Sequence, residues 1–404
     1  MVNVTKHNAP ALRFDGFDDE WEVKEFGSVV TRSSTISAEP TLPRLEYEDI
    51  VSGIGVLNKD LSRKESLKAG LLFGPGDVLY GKLRPYLKNW LLADFHGIAV
   101  GDFWVLQSFT ADPKFLYQLI QTSTYGAVTS ISSGSKMPRA DWKLVSQSRM
   151  TFPSTSEEQR AIGELFADLD ALIEQHRAKH ENLQQTKTAL MQRMFPRDGA
   201  DEPELRLGGF SGAWEAKPLK NLGSSYGGLT GKTKEDFGHG DARYITYLDV
   251  FERALITDTS RLGATDIDNR QSEVKTGDVL FTVSSEVPEE VGMSAVWLGQ
   301  RRNIYLNSFC FGFRPTAELD SKFLAYVLRS SDFRKKMTLL AQGISRFNIS
   351  KTRAMELEIS FPTLEEQRAI GEVFTNLDAL ITAESRYITQ LTQAKTALLQ
   401  RMFV

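Results

Sequence analysis

The sequence predicts an α+β protein: two mixed α/β modules are separated by two long helices that pair as an antiparallel coiled coil, in a pseudo-twofold tandem repeat. Three observations predict this architecture. A long repeat ends each half of the chain, a short repeat begins each half, and apolar residues recur at helical spacing within the long repeat. The predicted domains are a first module at residues 1–151, a first helix at 152–199, a second module at 200–360 and a second helix at 361–404.

The long repeat is the stronger of the two. Residues 157–195 align without a gap to residues 365–403 at a constant offset of 208, and 24 of the 39 paired positions are identical. The short repeat has an offset of 193 and consists of Leu12-Arg13, Gly16-Phe17 and Trp21-Glu22, which recur as Leu205-Arg206, Gly209-Phe210 and Trp214-Glu215. Because the ends of each half match while the middles diverge, tandem duplication is the expected origin of the chain.

Each long repeat is predicted to form a capped helix with an apolar seam. The stretch Ser154–Ser156 and, in the second copy, Thr363 offer N-cap oxygens, and two glutamates follow each cap, where they suit the positive end of the helix dipole. Apolar residues then recur in alternating steps of three and four, as in coiled coils. At 1.5 Å per residue, 39 residues give a rod of about 58 Å, longer than one turn of B-DNA at about 34–36 Å.

A polar position interrupts the seam at its midpoint. His176 occupies it in the first copy and Glu384 in the second. The second module must carry the chain back to the far end of the first helix, so the helices are predicted to run antiparallel. The two residues would then face each other, and we predict that their contact fixes the register. A plain dimerisation coiled coil is the alternative interpretation.

The modules are predicted to contain strands near Asp77–Tyr80, Phe103–Leu106, Val279–Val283 and Cys310–Phe313, with amphipathic helices near Pro113–Thr122 and Asp320–Leu340. A small polar loop follows in each, Ser132–Lys136 in the first module and Gln342–Asn348 in the second. Gly permits close backbone approach, and Ser, Asn, Lys and Arg reach phosphates and base edges. An ordinary solvated turn explains these loops equally well.

The composition limits the classes of function. A net charge of -4 argues against holding DNA by electrostatics alone, unless partner subunits supply basic surface. Positive residues nevertheless cluster at Lys82, Arg84 and Lys88, at Lys136, Arg139 and Lys143, at Arg334–Lys336, and at Arg346, Lys351 and Arg353. The single Cys310 fits a buried thiol in a reducing, cytoplasmic compartment, and no signal peptide or long apolar span is predicted.

Catalytic motifs are not found in the sequence. It has no Asn-Pro-Pro-Tyr-like segment to hold a flipped adenine, and the Gly-rich run Gly227–Thr233 lacks the first P-loop glycine, whose position is Tyr226. Five scattered histidines and one cysteine do not make a recognisable zinc site. The alternatives to a DNA reader are a self-contained methyltransferase or nuclease and a coiled-coil scaffold for protein partners.

The chain resembles the specificity subunit of type I restriction–modification systems over essentially its whole length. The segments that carry the resemblance are Phe361–Gln367, Gly81–Tyr86, Tyr305–Phe309 and the Gly-Ile-Ser-Arg-Phe-Asn-Ile-Ser run from Gly343. Two departures stand out. The stretch Ser154–Ser156 carries an extra residue, and the second module has Thr282–Ser285 where the first has Gly81–Arg84. The second departure indicates that the modules read different sequences.

The resemblance implies that each module is a target recognition domain, which reads one half of a split site in double-stranded DNA. It also implies that the helices set the gap and dock two modification (methyltransferase) subunits, to which restriction/translocase subunits are added. S-adenosylmethionine, ATP and Mg are then expected in the partner subunits, with no cofactor, metal or catalytic residue in this chain.

Two residue sets follow from these predictions. The candidate DNA-binding residues are Lys82, Arg84, Tyr86, Ser135, Lys136, Lys232, Ser345, Arg346, Asn348 and Lys351. The residues predicted to pair the helices and dock partners are Ile162, Leu165, Leu169, Leu172, His176, Leu183, Ile370, Val373, Leu377, Leu380, Glu384 and Leu391.

Overall fold

The computed structural model describes residues 9–61, 67–131, 137–197 and 199–404. The chain forms two compact units, one of residues 1–178 with 385–404 and the other of residues 179–384. Each unit therefore contains one module and one half of each long helix. The division falls inside both helices and does not coincide with the predicted domain limits.

The strands of the first module are β1 (Glu22–Glu25), β2 (Val30–Arg32), β3 (Ile36–Ser37), β4 (Arg44–Leu45), β5 (Gly70–Phe73), β6 (Val78–Gly81), β7 (Trp90–Leu92), β8 (Gly97–Ala99), β9 (Phe103–Ser108) and β10 (Arg149–Phe152). They form two four-stranded sheets, with orders β2-β9-β6-β7 and β3-β5-β8-β4, and a two-stranded sheet in which β1 pairs with β10. Its helices are α1 (Phe26–Val29), α2 (Pro113–Leu119), α3 (Ser123–Thr129) and α4 (Trp142–Gln147), and the long helix α5 (Ser156–Arg193) follows.

The strands of the second module are β11 (Glu215–Pro218), β12 (Gly223–Gly227), β13 (Phe237–Ile245), β14 (Leu255–Ile256), β15 (Gly263–Thr265), β16 (Val279–Thr282), β17 (Ser284–Ser285), β18 (Ser294–Trp297), β19 (Ile304–Leu306), β20 (Cys310–Pro315), β21 (Phe347–Asn348) and β22 (Glu358–Phe361). They form a five-stranded sheet of order β12-β20-β16-β18-β14, a three-stranded sheet of order β15-β13-β19, and the pairs β11-β22 and β17-β21. Its helices are α6 (Tyr247–Glu252), α7 (Ser321–Val327), α8 (Ser331–Thr338) and α9 (Lys351–Ala354), and the long helix α10 (Leu364–Met402) follows. Short 3-10 helices lie at Tyr47–Asp49, Pro85–Leu87, Leu219–Asn221, Lys234–Asp236 and Pro288–Glu290.

The predicted strands are confirmed, and one predicted helix is wrong. Residues 320–340 do not form one helix, because α7 ends at Val327 and α8 begins at Ser331. The cause is a new cap: the Ser330 hydroxyl accepts a hydrogen bond from the Phe333 amide at 3.4 Å. Thr122 caps α3 in the same way in the first module, where the Tyr125 amide lies 3.3 Å from its hydroxyl.

The two long helices begin as the caps predicted. The Thr155 hydroxyl accepts a hydrogen bond from the Glu158 amide at 3.3 Å, and the Thr363 hydroxyl accepts one from the Glu366 amide at 3.5 Å. Each helix follows a strand that ends at the Phe of a Phe-Pro pair, and the proline lies just beyond the strand. None of the described helices combines the length and the apolar character that crossing a membrane requires.

Within each unit, the halves of α5 and α10 pair antiparallel. In the first unit Lys395 binds Asp170 at 2.7 Å, and the His176 and Tyr387 rings lie 4.5 Å apart. In the second unit Lys187 binds Asp378 at 2.5 Å. Residue numbers rise along α5 as they fall along α10, so the predicted direction is confirmed.

The polar midpoint of the seam has partners in both units. His176 packs against Tyr387, and Glu384 binds Lys179 at 2.5 Å. A direct contact between His176 and Glu384 stays a prediction. Leu380 was predicted to occupy a buried position of the seam. This prediction is wrong, because the Leu380 side chain is 49% exposed.

The remaining predicted helix residues are buried to different degrees. Ile162 and Ile370 are fully buried and join the cores of the modules, together with Phe166 and Phe374, which the heptad pattern did not single out. The others are half-buried along the helix, namely Leu165, Leu169, Leu172, Leu183, Val373, Leu377 and Leu391. The helix is therefore part of each module's core as well as a partner for the other helix.

The repeated head and tail of each half bind each other. In the first unit the Arg13 guanidinium donates two hydrogen bonds to the Glu158 carboxylate, at 2.6 and 2.7 Å, and the Trp21 indole donates a third at 3.2 Å. In the second unit Arg206 donates two hydrogen bonds to Glu366, each at 2.8 Å. Both carboxylates are buried. The two repeats are thus the two sides of one contact.

The adjacent glutamine fastens the long helix to the module. The Gln159 side-chain oxygen accepts a hydrogen bond from the Asp112 amide at 3.0 Å, and its nitrogen donates to the Pro153 carbonyl at 3.2 Å. Gln367 repeats both contacts in the second unit, at 3.0 and 2.9 Å. The repeated Glu-Glu-Gln sequence therefore holds the module on the helix, beyond placing charge in the first turn.

The helix also needs a glycine at this contact. A methyl group on Gly163 would lie 2.7 Å from Lys114 Cβ and 2.8 Å from the Phe115 backbone nitrogen. Alanine normally stabilises a helix interior relative to glycine by about 1 kcal/mol, but here α2 would have to move. We expect Gly163→Ala to lower the free energy of unfolding by about 1–3 kcal/mol, measured by chemical denaturation.

The matched control is Gly126→Ala in α3, where an added methyl group meets nothing within 4 Å. That variant should be neutral or stabilised. Gly371→Ala, at the equivalent position of the second unit, should behave like Gly163→Ala. If Gly163→Ala were as stable as Gly126→Ala, the close approach of α2 to α5 would be contradicted.

Candidate nucleic-acid interface

Two segments that the sequence singled out separately come together in the first module. The chain after β6 lies beside the chain before α4. The Arg84 amide donates to the Pro138 carbonyl at 2.7 Å, and the Ala140 amide donates to the Lys82 carbonyl at 2.8 Å. Leu83 and Arg139 form a β-bridge between these segments. Lys82 and Arg84 of one predicted positive cluster therefore lie on a segment beside that of Arg139 from another.

The second module brings the corresponding segments together through β17 and β21. Ser284 pairs with Asn348 and Ser285 with Phe347 in antiparallel register. The loop before β21 is closed by Gln342 and Asn348, whose amides donate to each other's carbonyls at 2.9 and 2.8 Å. The same frame thus carries Lys82 and Arg84 in the first module and, at the equivalent positions, Val283 and Ser285 in the second.

A glycine makes the second loop tight. Gly343 has φ 140°, and a Cβ there would lie 2.1 Å from the Arg346 carbonyl oxygen. Only glycine fits this backbone. The loop presents Ile344, which is 97% exposed, together with the exposed Ser345 and Arg346.

Arg346 is held in a defined orientation. Its guanidinium donates to the Ser284 hydroxyl at 3.1 Å and lies 5.4 Å over the Phe309 ring. A stacked guanidinium keeps most of its N–H donors available, which suits it to bidentate recognition of acceptor pairs. Arg346 and Asn348 are therefore both exposed at the end of this loop, and their contact with DNA stays a prediction.

An aspartate organises the cations of the first module. The Asp102 carboxylate binds Arg139 at 2.9 Å and lies 3.7 Å from the Lys82 ammonium. The Tyr47 hydroxyl donates to the Asp102 carbonyl at 2.6 Å and accepts from the Leu83 amide at 3.1 Å. Burial raises the pKa of Tyr47 to about 12, so this hydroxyl stays protonated at neutral pH. These hydrogen bonds hold the backbone in place where the segment containing Lys82 and Arg84 begins.

The same segment contains strained backbone. Arg84 and Lys88 adopt positive φ angles of 50° and 57°, on either side of the 3-10 helix Pro85–Leu87. Arg84 Nε is buried and has no hydrogen-bond partner among the described residues. Tyr86, between them, is 61% exposed. Strain of this kind is tolerated where the surrounding structure holds it, often at ligand sites.

The remaining candidates are placed as follows. The Lys232 ammonium binds the Asp268 carboxylate at 3.1 Å, and the Lys232 side chain is only 13% exposed. Lys351 is exposed at the first residue of α9. Ser135 and Lys136 lie outside the described residues. The DNA contacts of all ten candidate residues stay predictions.

Two other sequence features have structural roles. The Arg334 guanidinium donates to the Gly292 and Glu289 carbonyls at 2.6 and 2.9 Å, and burial lowers the pKa of Arg334 to about 10. Cys310 is buried, as predicted, and burial raises the pKa of its thiol to about 12. Neither group is available to a ligand.

The sequence did not point to Arg32. Its guanidinium lies 4.8 Å from the Trp142 ring and 5.8 Å from the Trp104 ring. Arg32 is a lone cation at the end of β2, with no motif around it, and the two tryptophans belong to β9 and α4. The nearest signal was the predicted positive cluster that contains Arg139 and Lys143.

Comparison with known proteins gives similar results for the sequence and the fold. Residues 212–393 match the family described as "Type I restriction modification DNA specificity domain". The MjaVIII specificity subunit of a type I restriction enzyme from Methanocaldococcus jannaschii is 22% identical over 403 residues, covering 93% of this chain and 90% of that protein. The EcoDI specificity subunit from Escherichia coli is 27% identical over 172 residues, covering 40% and 38%.

Solved structures share the fold. The type I restriction–modification S subunit from M. genitalium has a TM-score of 0.59 at 15% identity, covering 98% of this chain and 99% of that one. A chain from a type I system, solved to explain complex assembly and conformational transition, has a TM-score of 0.56 at 18% identity, covering 95% and 97%. At these identities the likeness concerns the fold.

Proposed function

Because the chain belongs to the family of type I restriction–modification specificity subunits, we propose that its two modules each read one half of a split site in double-stranded DNA. The observation that supports this most directly is the repeated frame with different side chains. Lys82 and Arg84 of the first module stand at positions that Val283 and Ser285 occupy in the second, where Arg346 binds the neighbouring Ser284. Different polar groups on equivalent frames suit two different half-sites.

The long helices set the distance between the half-sites and dock two modification subunits. Helices of 38 and 39 residues, each shared by both units, are the elements proposed for this purpose. Restriction/translocase subunits complete the complex. The chemistry belongs to these partners, which hold S-adenosylmethionine, ATP and Mg, while this chain selects the site. A net charge of -4 is consistent with partners that contribute basic surface to DNA binding.

The experiment that tests this function is co-expression with a modification subunit, followed by methylome sequencing. Methyladenine at a split motif, lost when this chain is omitted, is the expected result. A stable complex that leaves methylation unchanged would instead indicate a protein scaffold. Methylation by the isolated chain would indicate a self-contained methyltransferase.

We expect Arg346→Ala to weaken target binding by about 1–3 kcal/mol, because the variant removes a guanidinium already oriented by Ser284 and Phe309. Specificity should relax only in the half-site read by the second module. Competition binding with duplexes altered in one half-site at a time measures this. Arg302→Ala removes another exposed arginine of the same module and should leave specificity unchanged. Equal losses on all sequences would assign Arg346 to a phosphate, and no loss would remove this loop from the interface.

A further inference from the structure

A cleft of about 900 Å³ opens in the first module between β2, β9 and α4. Four cations line it, Arg32, Lys82, Arg139 and Lys143. Asp141 is the one carboxylate among the described residues that line it, and it caps α4 by accepting a hydrogen bond from the Lys143 amide at 2.8 Å. The lining of the cleft therefore carries more positive than negative side chains, in a protein whose net charge is negative.

Arg32 is the cation that stacking holds in place. Its guanidinium lies over Trp142 at 4.8 Å, and Trp142 packs edge-on against the buried Trp104. Arg32 is exposed overall, yet desolvation against the rings lowers its pKa, a shift that the Asp141 charge opposes. No hydrogen bond or ion pair engages Arg32 within the described ranges 9–61, 67–131, 137–197 and 199–404. The rings fix its plane and leave its donors free.

The other cations divide into paired and unpaired groups. Arg139 binds Asp102 at 2.9 Å, and Lys82 lies 3.7 Å from the same carboxylate. Lys143, like Arg32, has no anionic partner in the described part of the chain. Two cations that form no ion pair among the described residues, on one concave surface, favour a ligand with negative charge.

This arrangement is absent from the second module. At the offset of 193 that relates the heads of the two halves, Arg32 corresponds to Ser225. The strands agree: Arg32 pairs with Leu106 of β9, and Ser225 pairs with Phe313 of β20. The frame does not need an arginine at this position, so Arg32 is available for a ligand contact.

We propose that this cleft seats a phosphate group of the DNA backbone, with Arg32 donating paired N–H hydrogen bonds to its oxygens and Lys143 adding charge. The inference rests on the proposed function and adds to it a backbone contact made by one module only. A phosphate is favoured over a base edge by shape. The sugar–phosphate backbone is convex and enters a cleft, whereas base edges lie at the floor of a groove and are reached by protruding elements.

The test uses the complex with its modification subunits and measures affinity against salt concentration for a target and a non-target duplex. For Arg32→Ala we expect about a tenfold loss on both duplexes, and the slope of log affinity against log salt should fall by about 0.9, the value for one phosphate. Arg32→Lys keeps the charge without the paired donors, so it should keep the slope and recover part of the affinity.

Ser225→Ala is the matched control at the equivalent position and should change neither quantity. An unchanged slope and affinity in Arg32→Ala, with an unchanged unfolding midpoint, would overturn the inference. A loss confined to the target duplex would overturn it too, by assigning Arg32 to a base. If the unaltered complex showed no preference for its target, the proposed function would fail instead, independently of Arg32.

Discussion

Replacing Phe403 by alanine is expected to lower the free energy of unfolding of the first unit by about 3–5 kcal/mol. Phe403 is 9% exposed and stacks on Phe115 with ring centroids 5.2 Å apart. It also contacts the edge of Trp21 at 6.4 Å and Phe166 at 6.1 Å. The end of α10 therefore completes a core whose other aromatic residues lie far earlier in the sequence. Removing the Phe403 ring leaves a cavity among these aromatic rings.

Phe195→Ala provides the matched variant. Phe195 makes the equivalent contacts with Trp214, Phe323 and Phe374 in the second unit, at 6.4, 5.9 and 5.6 Å. Hydrogen exchange resolved by residue should show loss of protection in the first unit for Phe403→Ala and in the second for Phe195→Ala. Loss of protection in the wrong unit, or in neither, would contradict the assignment of each helix end to its core.

These aromatic contacts also show what the sequence could and could not predict. The two copies of Gln-Arg-Met-Phe were evident as a repeat, and helical periodicity with caps predicted the elements that carry them. Their partners were not evident, because hydrophobic periodicity identifies a buried face without identifying what covers it. The Met and Phe that end each copy pack in a module core, while Leu380, which fits the heptad, is about half exposed.

The segments of the candidate interface were identified from the sequence, but the contact between these segments was not. Residues 81–84 and the loops before α4 and β21 were singled out by composition and by divergence between the halves. Their contact is made by backbone hydrogen bonds, such as Arg84 to Pro138, which no side-chain pattern encodes. Arg32 was missed because a single arginine at the end of a strand has no signature of its own. The orientation of the Arg32 guanidinium comes from the rings of Trp104 and Trp142, which are distant in sequence and approach Arg32 only in the folded chain.

Equivalent frames with unequal ligand groups provide a physical route to new specificity. The contacts that hold each module on the helices, such as Arg13 with Glu158 and Gln159 with Asp112, repeat almost unchanged in the second unit. The residues on the exposed edges do not repeat. Binding surfaces can therefore differ between the halves without altering the contacts that fold them, as the proposed recognition of two different half-sites requires.

The second large expected effect concerns the contact between Arg13 and Glu158. Arg13→Ala should lower the free energy of unfolding of the first unit by about 3–5 kcal/mol, because it leaves a buried charge without its partner. The Glu158 side chain is fully buried, whereas Arg13 is 15% exposed. Only the Trp21 indole would remain as a side-chain donor to the carboxylate among the described residues. Chemical denaturation, with hydrogen exchange to locate the loss, measures the effect.

A second substitution separates the buried charge from lost packing. Adding Glu158→Gln to Arg13→Ala removes the charge and keeps the shape, so the double variant should be more stable than Arg13→Ala alone. Glu157→Ala alters the exposed neighbour at the same helix end and should cost less than about 1 kcal/mol, the usual value for a charge near a helix dipole. If the double variant were no more stable than Arg13→Ala, packing of the arginine stem would account for the loss. The repeated Arg–Glu pair would then act as a shape contact between head and tail, with its charge incidental to stability.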